Sequence, residues 1–357
     1  MAKVIVGMSG GVDSAVTAYL LKLAGYEVVG VTIRTWMSSD GKESRCCEID
    51  DARKVSWKLG IPYYVSNCIS DFREYITKPF IDDYLHGVTP NPCVWCNKYI
   101  KWDKMLDSAN VMAADYIATG HYASIIKKDN GRYTVQKADF AAKDQTYMLY
   151  RLTQDQLART IMPLGKLSKD EVREIARQAG LPVAEKADSQ EICFVTDGNY
   201  VDYIEDYAET DIPGDGLFVD EDGNVLGHHK GIIHYTVGQR KGLGLALGFP
   251  AYVKKIDAVN NTVIIGDEKS LYSTELICKD LNFMSIPELK SGERISCNVK
   301  VRYHHVGQPA EVLMLDSDKV KISFIDPVRA ASPGQSAVFY DEDNCVIGGG
   351  IIETVLD

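Results

Sequence analysis

The SGGVDS motif is the first place in the chain where residue types and spacing point to chemistry. It joins an apolar run, KVIVGM, to the helical pattern AVTAYLLKLAG. Gly10 and Gly11 can adopt positive φ angles and let the backbone approach a ligand closely. The hydroxyls of Ser9 and Ser14 can donate to phosphate oxygens, and the carboxylate of Asp13 can hold Mg²⁺ or its water shell. Because the turn opens a helix, whose first N–H groups are free, the sequence predicts a phosphate site here.

Other interpretations of this motif explain less of it. A glycine-rich turn with Ser and Asp capping the helix would account for two glycines, but not for the whole hexapeptide. The motif is not a Walker loop, because the Lys-Ser/Thr ending is missing, and it lacks the G-x-G-x-x-G spacing of dinucleotide-binding turns.

The cysteines form a second group with chemical potential. Cys93 and Cys96 have C-x-x-C spacing in TPNPCVWCN, and Cys193 follows in EICFV. Half of a structural zinc site is one interpretation, which Cys46 and Cys47 would complete only if the fold brought them close. The chain has nine cysteines, an odd number, and no signal-peptide pattern. We therefore expect reduced thiols in a cytoplasmic protein rather than a disulfide framework.

The elements that must position these groups alternate between strand and helix in the first half. Apolar runs such as KVIVGM, EVVGVTIR and IPYYVS predict strands. The helical pattern after SGG places Val12, Val16, Leu20 and Leu23 on one stripe, and Gly25 is a natural C-terminal stop. This alternation predicts an α/β fold with a doubly wound, mainly parallel sheet.

Beyond about residue 195 the pattern changes. Strand-like runs meet at tight polar turns, as in YVKKIDAVNNTVIIG, and predict largely antiparallel β structure in two small domains. The acidic stretch 197–215 is the expected junction.

The charge distribution leaves a nucleic-acid partner open. The whole chain has a net charge of −11, which argues at first against such a partner. However, residues 1–195 hold 25 basic and 24 acidic side chains, whereas residues 196–357 hold 14 and 26. The net negative charge is therefore carried by the second half. No apolar stretch is long enough to cross a bilayer, so we expect no membrane partner.

Eight segments that follow one another along the chain resemble the tRNA-specific 2-thiouridylases. They are GMSGGVDS, LGIPYYV, TPNPCVWCN, ATGHYA, KDQTYML, DSQEICFV, TVGQRKGLG and ASPGQSAVFY. S-G-G-x-D-S by itself resembles the signature of the ATP-pyrophosphatases. The resemblance implies an ATP-pyrophosphatase domain over 1–196, a small central β-rich domain over 197–276 and a C-terminal β-barrel over 277–357.

The resemblance also implies a reaction. The family uses ATP and Mg²⁺ to adenylate the C2 oxygen of uridine 34, the wobble position in the anticodon loop of tRNA. Sulfur from a cysteine persulfide then replaces that oxygen, which gives 2-thiouridine, AMP and pyrophosphate. A cysteine desulfurase or a sulfur-relay protein would supply the sulfur.

Individual roles follow from the same resemblance. ATP would be bound by Gly7, Met8, Ser9, Gly10, Gly11, Val12, Asp13 and Ser14, with Ile33 near the adenine and Gly120 beside the nucleotide. Cys193 would carry the persulfide, and Cys96 would attack it, leaving a Cys96–Cys193 disulfide. The target base would lie against Asn91, Pro92 and Cys93. The remaining tRNA contacts would come from His121, Lys143, Asp144 and Gln145, and from Arg302, Tyr303 and Gln335 of the barrel.

One departure from the family pattern opens an alternative. Many members have Asp where this chain has Cys93, so three thiols converge if the motifs meet. Cys93, Cys96 and Cys193 could then hold a [4Fe–4S] cluster with one open iron for exogenous sulfide.

Two further hypotheses remain, one within enzymes and one non-catalytic. An ATP-pyrophosphatase ligase acting on a small substrate would leave the distant cysteines without a purpose. An RNA- or iron–sulfur-binding protein with a degenerate nucleotide fold would not need an intact S-G-G-x-D-S.

Overall fold

The computed structural model describes residues 1–36, 48–187, 192–195 and 199–356. Cys46 and Cys47 lie outside the described residues, as does the expected domain boundary at 196.

Helices dominate the first half of the described chain and strands the second. The α-helices are α1 (Val12–Leu23), α2 (Ile49–Leu59), α3 (Ile69–Phe72), α4 (Lys78–Leu85), α5 (Pro92–Trp95), α6 (Asp103–Val111), α7 (Gln154–Ala158), α8 (Lys169–Gln178) and α9 (Tyr200–Tyr207). The strands are β1 (Lys3–Gly7), β2 (Glu27–Arg34), β3 (Tyr63–Asn67), β4 (Tyr116–Ala118), β5 (Ala123–Lys127), β6 (Tyr133–Lys137), β7 (Thr160–Ile161), β8 (Gly216–Val219), β9 (Val225–His229), β10 (Tyr252–Asp257), β11 (Thr262–Gly266), β12 (Tyr272–Phe283), β13 (Arg294–Lys300), β14 (Gln308–Met314), β15 (Val320–Arg329), β16 (Ser336–Tyr340) and β17 (Val346–Leu356). Two π-helical segments, Arg73–Thr77 and Cys96–Trp102, run into α4 and α6.

A five-stranded parallel sheet with the order β3-β2-β1-β4-β7 forms the centre of the first half. Side chains of successive strand residues point to opposite faces. Accordingly, Val4 and Val6 of β1 pack in a core that includes residues of α1, α2 and α8, and Ile5 packs in another with residues of α6. Helices cover both faces, so the predicted doubly wound α/β fold is confirmed.

Helix α1 follows its predicted bounds but not its predicted buried stripe. Val12 and Val16 are buried, whereas Leu23 is 67% exposed. Small residues such as Ala15 and Ala18 occupy the core instead. A stripe drawn from large apolar residues alone was therefore wrong at Leu23, because a helix lying close to a sheet buries small side chains.

The second half contains two β structures. A four-stranded sheet with the order β10-β11-β8-β9 consists of two antiparallel hairpins joined by a parallel pairing of β11 with β8. The strands β12-β15-β14-β13-β16-β17 close into an antiparallel barrel. The predicted C-terminal β-barrel is therefore confirmed.

The barrel packs against the first half through a shared core. Met284, Val338 and Val346 of the barrel are buried in the same cluster as Tyr147 and Tyr150. This apolar contact makes the barrel part of the surroundings of the candidate site. No helix in the described ranges has both the length and the apolar character needed to cross a membrane.

Candidate functional site

The glycine turn between β1 and α1 has one of its two predicted positive φ angles. Gly10 has φ +81°, and a Cβ there would lie 2.6 Å from the carbonyl oxygen of Glu48. Gly11 is the N-cap of α1 with extended backbone, at φ −92°, so the expectation of positive φ was wrong for it. Gly11 brings no side chain to the helix N-terminus. The first-turn N–H groups of α1 can therefore face a ligand.

The two serines brace the turn from inside. The Ser14 hydroxyl is buried, accepts a hydrogen bond from the Ser9 N–H at 3.2 Å and donates to the Gly11 carbonyl at 3.0 Å. Ser9 is exposed, and its Oγ lies 3.3 Å from that of Ser14. Of the two hydroxyls predicted to contact phosphate, that of Ser9 is on the surface of the turn.

Asp13, in the first turn of α1, has two partners that sequence reasoning missed. The Lys169 ammonium group lies 2.8 and 2.9 Å from its two carboxylate oxygens, and the Tyr122 hydroxyl donates to Oδ1 at 2.8 Å. Lys169 opens α8 directly after Ser168, whose hydroxyl and Glu171 form a capping box. The predicted capping box was the available signal, since it places the next residue at a helix start. No local sequence pattern indicated that the N-terminus of α8 lies against Asp13.

A second lysine lies on the other side of the turn. Lys186 donates from Nζ to the Gly10 carbonyl at 3.2 Å and to Asp51 at 2.6 Å, and it also pairs with Glu48. Burial alone would lower its pKa, but the hydrogen bonds to Asp51 and Glu48 raise it. Lys169 and Lys186 therefore place two positive charges beside the predicted phosphate site.

The turn after β4 meets the first turn of α1. A Cβ on Gly120 would lie 2.8 Å from the Asp13 carbonyl carbon and 2.9 Å from the Ser14 nitrogen. The neighbouring strands β1 and β4 lead to opposite sides of the sheet, and ligands bind at such a switch point. Glycine at the N-cap, the open helix N-terminus and two lysines fit a nucleotide polyphosphate. Asp13 is the side chain here that could hold Mg²⁺ bound to the phosphates.

The other predicted ATP residues lie around the same edge of the sheet. Gly7 ends β1, and a Cβ there would lie 2.7 Å from Met105 Sδ. Met8 and Val12 are buried. Ile33 is half-buried near the end of β2. These residues pack around the turn, and their contact with ATP stays a prediction.

Cys96 and Cys193 both pack in one apolar cluster. Cys96 is 9% exposed and begins the π-helical segment after α5. Cys193 is half-buried and packs against the same cluster, which is built around Phe72, Phe80 and Phe194. The two predicted catalytic thiols, far apart in sequence, therefore belong to the same part of the core. Ile33 also packs against this cluster, which connects it to the nucleotide side of the sheet.

Cys93 faces a different environment. It is exposed on α5, and it contributes, after burial and Asp144, to raising the pKa of Tyr303 in the barrel. Across residues 1–36, 48–187, 192–195 and 199–356, no group of three His, Cys, Asp or Glu side chains is arranged to hold a metal ion. The [4Fe–4S] alternative at Cys93, Cys96 and Cys193 stays a prediction, because the thiols of such a cluster bind separate irons rather than one metal ion.

The loop carrying Asn91, Pro92 and Cys93 is packed between the sheet domain and the barrel. Pro92 is buried at the start of α5, and Asn91 is a hydrogen-bond partner of the Tyr147 side chain. The amide of Gln335, a predicted tRNA contact, donates to backbone carbonyls of this loop.

The four predicted tRNA contacts of the sheet domain differ in accessibility. Asp144 is 6% exposed, and its Oδ1 accepts hydrogen bonds from the backbone of Ala138 and Thr146. The Gln145 side chain accepts from the Tyr122 N–H at 2.9 Å, and Lys143 is half-buried. His121 packs on Trp102, and burial and then Lys101 hold its pKa well below its usual value, so its imidazole is neutral at pH 7.

Arg302 and Tyr303 lie at the end of the barrel nearest this loop. Arg302 donates from Nη1 to the Arg329 carbonyl at 2.6 Å. Tyr303 lines a cleft of about 640 Å³ together with Lys137, Lys300 and Asp144. This cleft lies between the predicted tRNA contacts of the sheet domain and those of the barrel.

Comparison with known proteins covers nearly the whole chain. Three family models match in succession: a tRNA methyl transferase HUP domain over residues 2–197, a tRNA methyl transferase PRC-barrel domain over 201–267 and an aminomethyltransferase beta-barrel domain over 273–352. Their descriptions name methyl transfer, whereas the similar full-length proteins are named for thiolation.

Those full-length relatives match at about half of all positions. A tRNA-specific 2-thiouridylase MnmA of Lachnoclostridium phytofermentans is 51% identical over 99% of both chains. The protein with that name in Acetivibrio thermocellus is 52% identical over 98% of this chain and 99% of its own. Among solved structures, the U34-tRNA thiolase NcsA from Methanococcus maripaludis is 22% identical over 57% of this chain and 63% of its own, with a TM-score of 0.37. Since the identity to the thiouridylases extends over both β structures as well as the parallel-sheet domain, this chain belongs to the tRNA-specific 2-thiouridylase family.

Proposed function

We propose that this chain converts uridine 34 of tRNA to 2-thiouridine, by adenylating the C2 oxygen with ATP and then transferring sulfur from a persulfide on Cys193. The observation that carries this proposal is that Cys96 and Cys193 pack in the same apolar cluster, on a fold whose first turn suits a polyphosphate. Membership of the thiouridylase family supports both the tRNA substrate and the transferred atom.

The glycine turn supports the adenylation half of the reaction. The uracil O2 attacks the α-phosphorus of ATP, and pyrophosphate leaves with the electron pair of the broken P–O bond. The departing group is highly charged, so the α1 N-terminus, Lys169 and Lys186 would stabilise it. Adenylation turns the C2 oxygen into part of a good leaving group, AMP.

The cysteine pair supports the sulfur-transfer half. The terminal sulfur of a Cys193 persulfide attacks C2, and AMP leaves. The Cys96 thiolate then attacks the Cys193 sulfur, which breaks the S–S bond to the transferred atom and forms a Cys96–Cys193 disulfide. A sulfur donor must supply each persulfide, and a thiol reductant must reopen the disulfide. The apolar cluster around both cysteines suits this exchange, because it limits the access of water.

The target base must leave the anticodon stack to reach these groups. Single-stranded loops are where RNA can splay out a base, and aromatic side chains can receive it. Asn91, Pro92 and Cys93 would bind the everted uridine, with Arg302, Tyr303 and Lys143 on the flanking RNA. The alternative route through a [4Fe–4S] cluster held by Cys93, Cys96 and Cys193 stays a prediction, which iron and acid-labile sulfide analysis of the anaerobically purified protein would decide.

Thiolation of an anticodon stem-loop tests the proposal. The protein is incubated with the RNA, ATP, Mg²⁺, a cysteine desulfurase and cysteine, and nucleosides are analysed by mass spectrometry. We expect 2-thiouridine with the wild type, and none with Cys96→Ser or Cys193→Ser, while both variants still bind tRNA. Cys297→Ser is the matched control, because Cys297 lies in the barrel strand β13 and should leave the yield unchanged. Wild-type yield from either of the first two variants would contradict the mechanism.

A further inference from the structure

Gln335 connects the barrel to the loop that leads into the predicted base pocket. It lies just before β16, and its Nε2 group donates to the carbonyl oxygens of Thr89 at 3.1 Å and Pro90 at 3.2 Å. These carbonyls precede Asn91 directly. The Gln335 amide nitrogen is therefore within hydrogen-bond distance of two carbonyl groups of the pocket loop.

The two residues before Gln335 also contact the loop that leads into the predicted base pocket, through their backbone. The Thr89 N–H donates to the Pro333 carbonyl at 3.0 Å. Gly334 has φ +88°, and a Cβ there would collide with Val88 and lie 2.8 Å from the Thr89 carbonyl oxygen. The barrel segment 333–335 and the loop 88–90 are thus in direct backbone contact, with no room for a side chain at Gly334.

A third contact reaches Asn91 from the same segment of the barrel. The Tyr147 hydroxyl donates to the Ser336 carbonyl at 2.9 Å and accepts from the Ser336 N–H at 3.2 Å. The same Tyr147 side chain is a hydrogen-bond partner of Asn91. Tyr147 and Ser336 are both completely buried, so water does not compete for these bonds.

We propose that Gln335 and Gly334 are positioning residues, which act through Thr89 and Pro90 to hold the Asn91–Cys93 loop in the geometry that receives the everted base. The barrel is then a structural part of the base pocket as well as a surface for RNA. This inference rests on the proposed function for the identity of the base. It differs from the expectation that Gln335 acts by touching tRNA, because the two roles predict different kinetics.

The test separates binding of tRNA from the rate of reaction once tRNA is bound. In Gln335→Met, the side-chain length is kept and both donated hydrogen bonds are lost. We expect the single-turnover rate of thiolation at saturating tRNA to fall about tenfold or more, because small displacements of a reacting group have effects of this size. The Kd for tRNA should stay within about twofold of the wild type, which corresponds to less than about 0.5 kcal/mol. A weaker Kd with an unchanged saturating rate would show that Gln335 is an RNA ligand, and would overturn the inference.

Gly334→Ala provides an independent variant, and Gly292→Ala its matched control. Both glycines lie in barrel turns with nearly equal φ, +88° and +85°. An added Cβ at Gly292 would meet no atom within 4 Å in the part of the chain that the structure describes, whereas one at Gly334 would push on Val88 and Thr89. We expect the saturating rate to fall in Gly334→Ala and to stay at the wild-type value in Gly292→Ala. Equal rates in the two variants would refute the inference.

Amide hydrogen exchange of the free, full-length protein provides a readout that needs no reaction. Peptides covering residues 88–94 should exchange faster in Gln335→Met and in Gly334→Ala than in the wild type or Gly292→Ala. Unchanged exchange would overturn the inference even if activity were lost. If the wild type formed no 2-thiouridine, the proposed function would fail, and the exchange data would still decide whether the barrel holds this loop.

Discussion

At the scale of single residues, the charged neighbours of Asp13 determine the electrostatic environment that the glycine turn offers to an anion. A lone carboxylate in the first turn of α1 would repel a polyphosphate. Here Lys169 lies within 3 Å of both of its oxygens, and Lys186 lies beside the Gly10 carbonyl. Pairing with Lys169 offsets the negative charge of Asp13 at the helix N-terminus, while the carboxylate keeps lone pairs for Mg²⁺.

Removing that lysine should impair adenylation and leave RNA binding intact. In Lys169→Met, we expect the KM for ATP in ATP–pyrophosphate exchange to rise about tenfold or more, equivalent to about 1.4 kcal/mol per factor of ten. Lys166→Met is the control, because Lys166 is exposed three residues away and has no role in the turn. An unchanged KM in Lys169→Met would show that the pair with Asp13 is structural only.

His305 should make stability depend on pH. Burial, and then Arg302 and Lys300, lower its pKa from 6.5 to about 4. Between these values the unfolded state binds more protons than the folded state. The free energy of unfolding is therefore highest above about pH 6.5 and falls as the pH drops towards 4. Urea unfolding at several pH values should show a smaller fall for His305→Gln than for the wild type or for His304→Gln, whose side chain is exposed. Equal falls in all three would contradict the assignment.

At the scale of elements, the start of α1 shows why two adjacent glycines are needed for different reasons. Gly10 needs its positive φ and its missing Cβ, because Glu48 lies against it. Gly11 needs neither, and its lack of a side chain keeps the helix N-terminus open. The same region depends on α8, whose capping box sets the position of Lys169.

Alanine at Gly10 should abolish ATP use, whereas alanine at Gly25 should not. Both residues have positive φ, +81° and +85°, so both variants carry a backbone cost of about 1–2 kcal/mol. Only the Gly10 variant adds a collision, since a Cβ at Gly25 would have no described atom within 4 Å. We expect ATP–pyrophosphate exchange to be lost in Gly10→Ala and retained in Gly25→Ala, with both melting temperatures lowered. Retained exchange in Gly10→Ala would argue against a nucleotide at this turn.

At the scale of the whole molecule, the barrel and the parallel-sheet domain are joined by buried polar contacts as well as by a shared core. Arg151 is 5% exposed, bonds Asp280 of the barrel at 2.6 Å and stacks its guanidinium on Trp95 at 4.1 Å. Arg132 donates to the carbonyls of Phe283 and Met284. Because Trp95 directly precedes Cys96, the contact of Arg151 with Trp95 also connects the barrel to the segment that carries Cys96.

Replacement of Arg151 should therefore destabilise both domains together. For Arg151→Met we expect the free energy of unfolding to fall by about 2–3 kcal/mol, because the variant loses a charged hydrogen bond and a buried cation–π contact. Calorimetry should show one lowered transition for sheet domain and barrel. Arg177→Met is the control, since its ion pairs with Glu174 and Glu185 are exposed and should matter little. A barrel transition that stays at the wild-type temperature would refute this coupling.

The sequence by itself determined the features that depend on neighbours in the chain. The alternation of strands and helices, the glycine turn, the Ser168 capping box and the antiparallel second half follow from local propensity and hydrophobic period, which short segments carry on their own. Only the tertiary structure decided that Lys169 meets Asp13, that Cys96 and Cys193 share a cluster and that Gln335 donates to Thr89 and Pro90. These contacts join residues far apart in the chain. They depend on the order of the strands and on the position of the barrel against the parallel-sheet domain, and neither is encoded by a local sequence pattern.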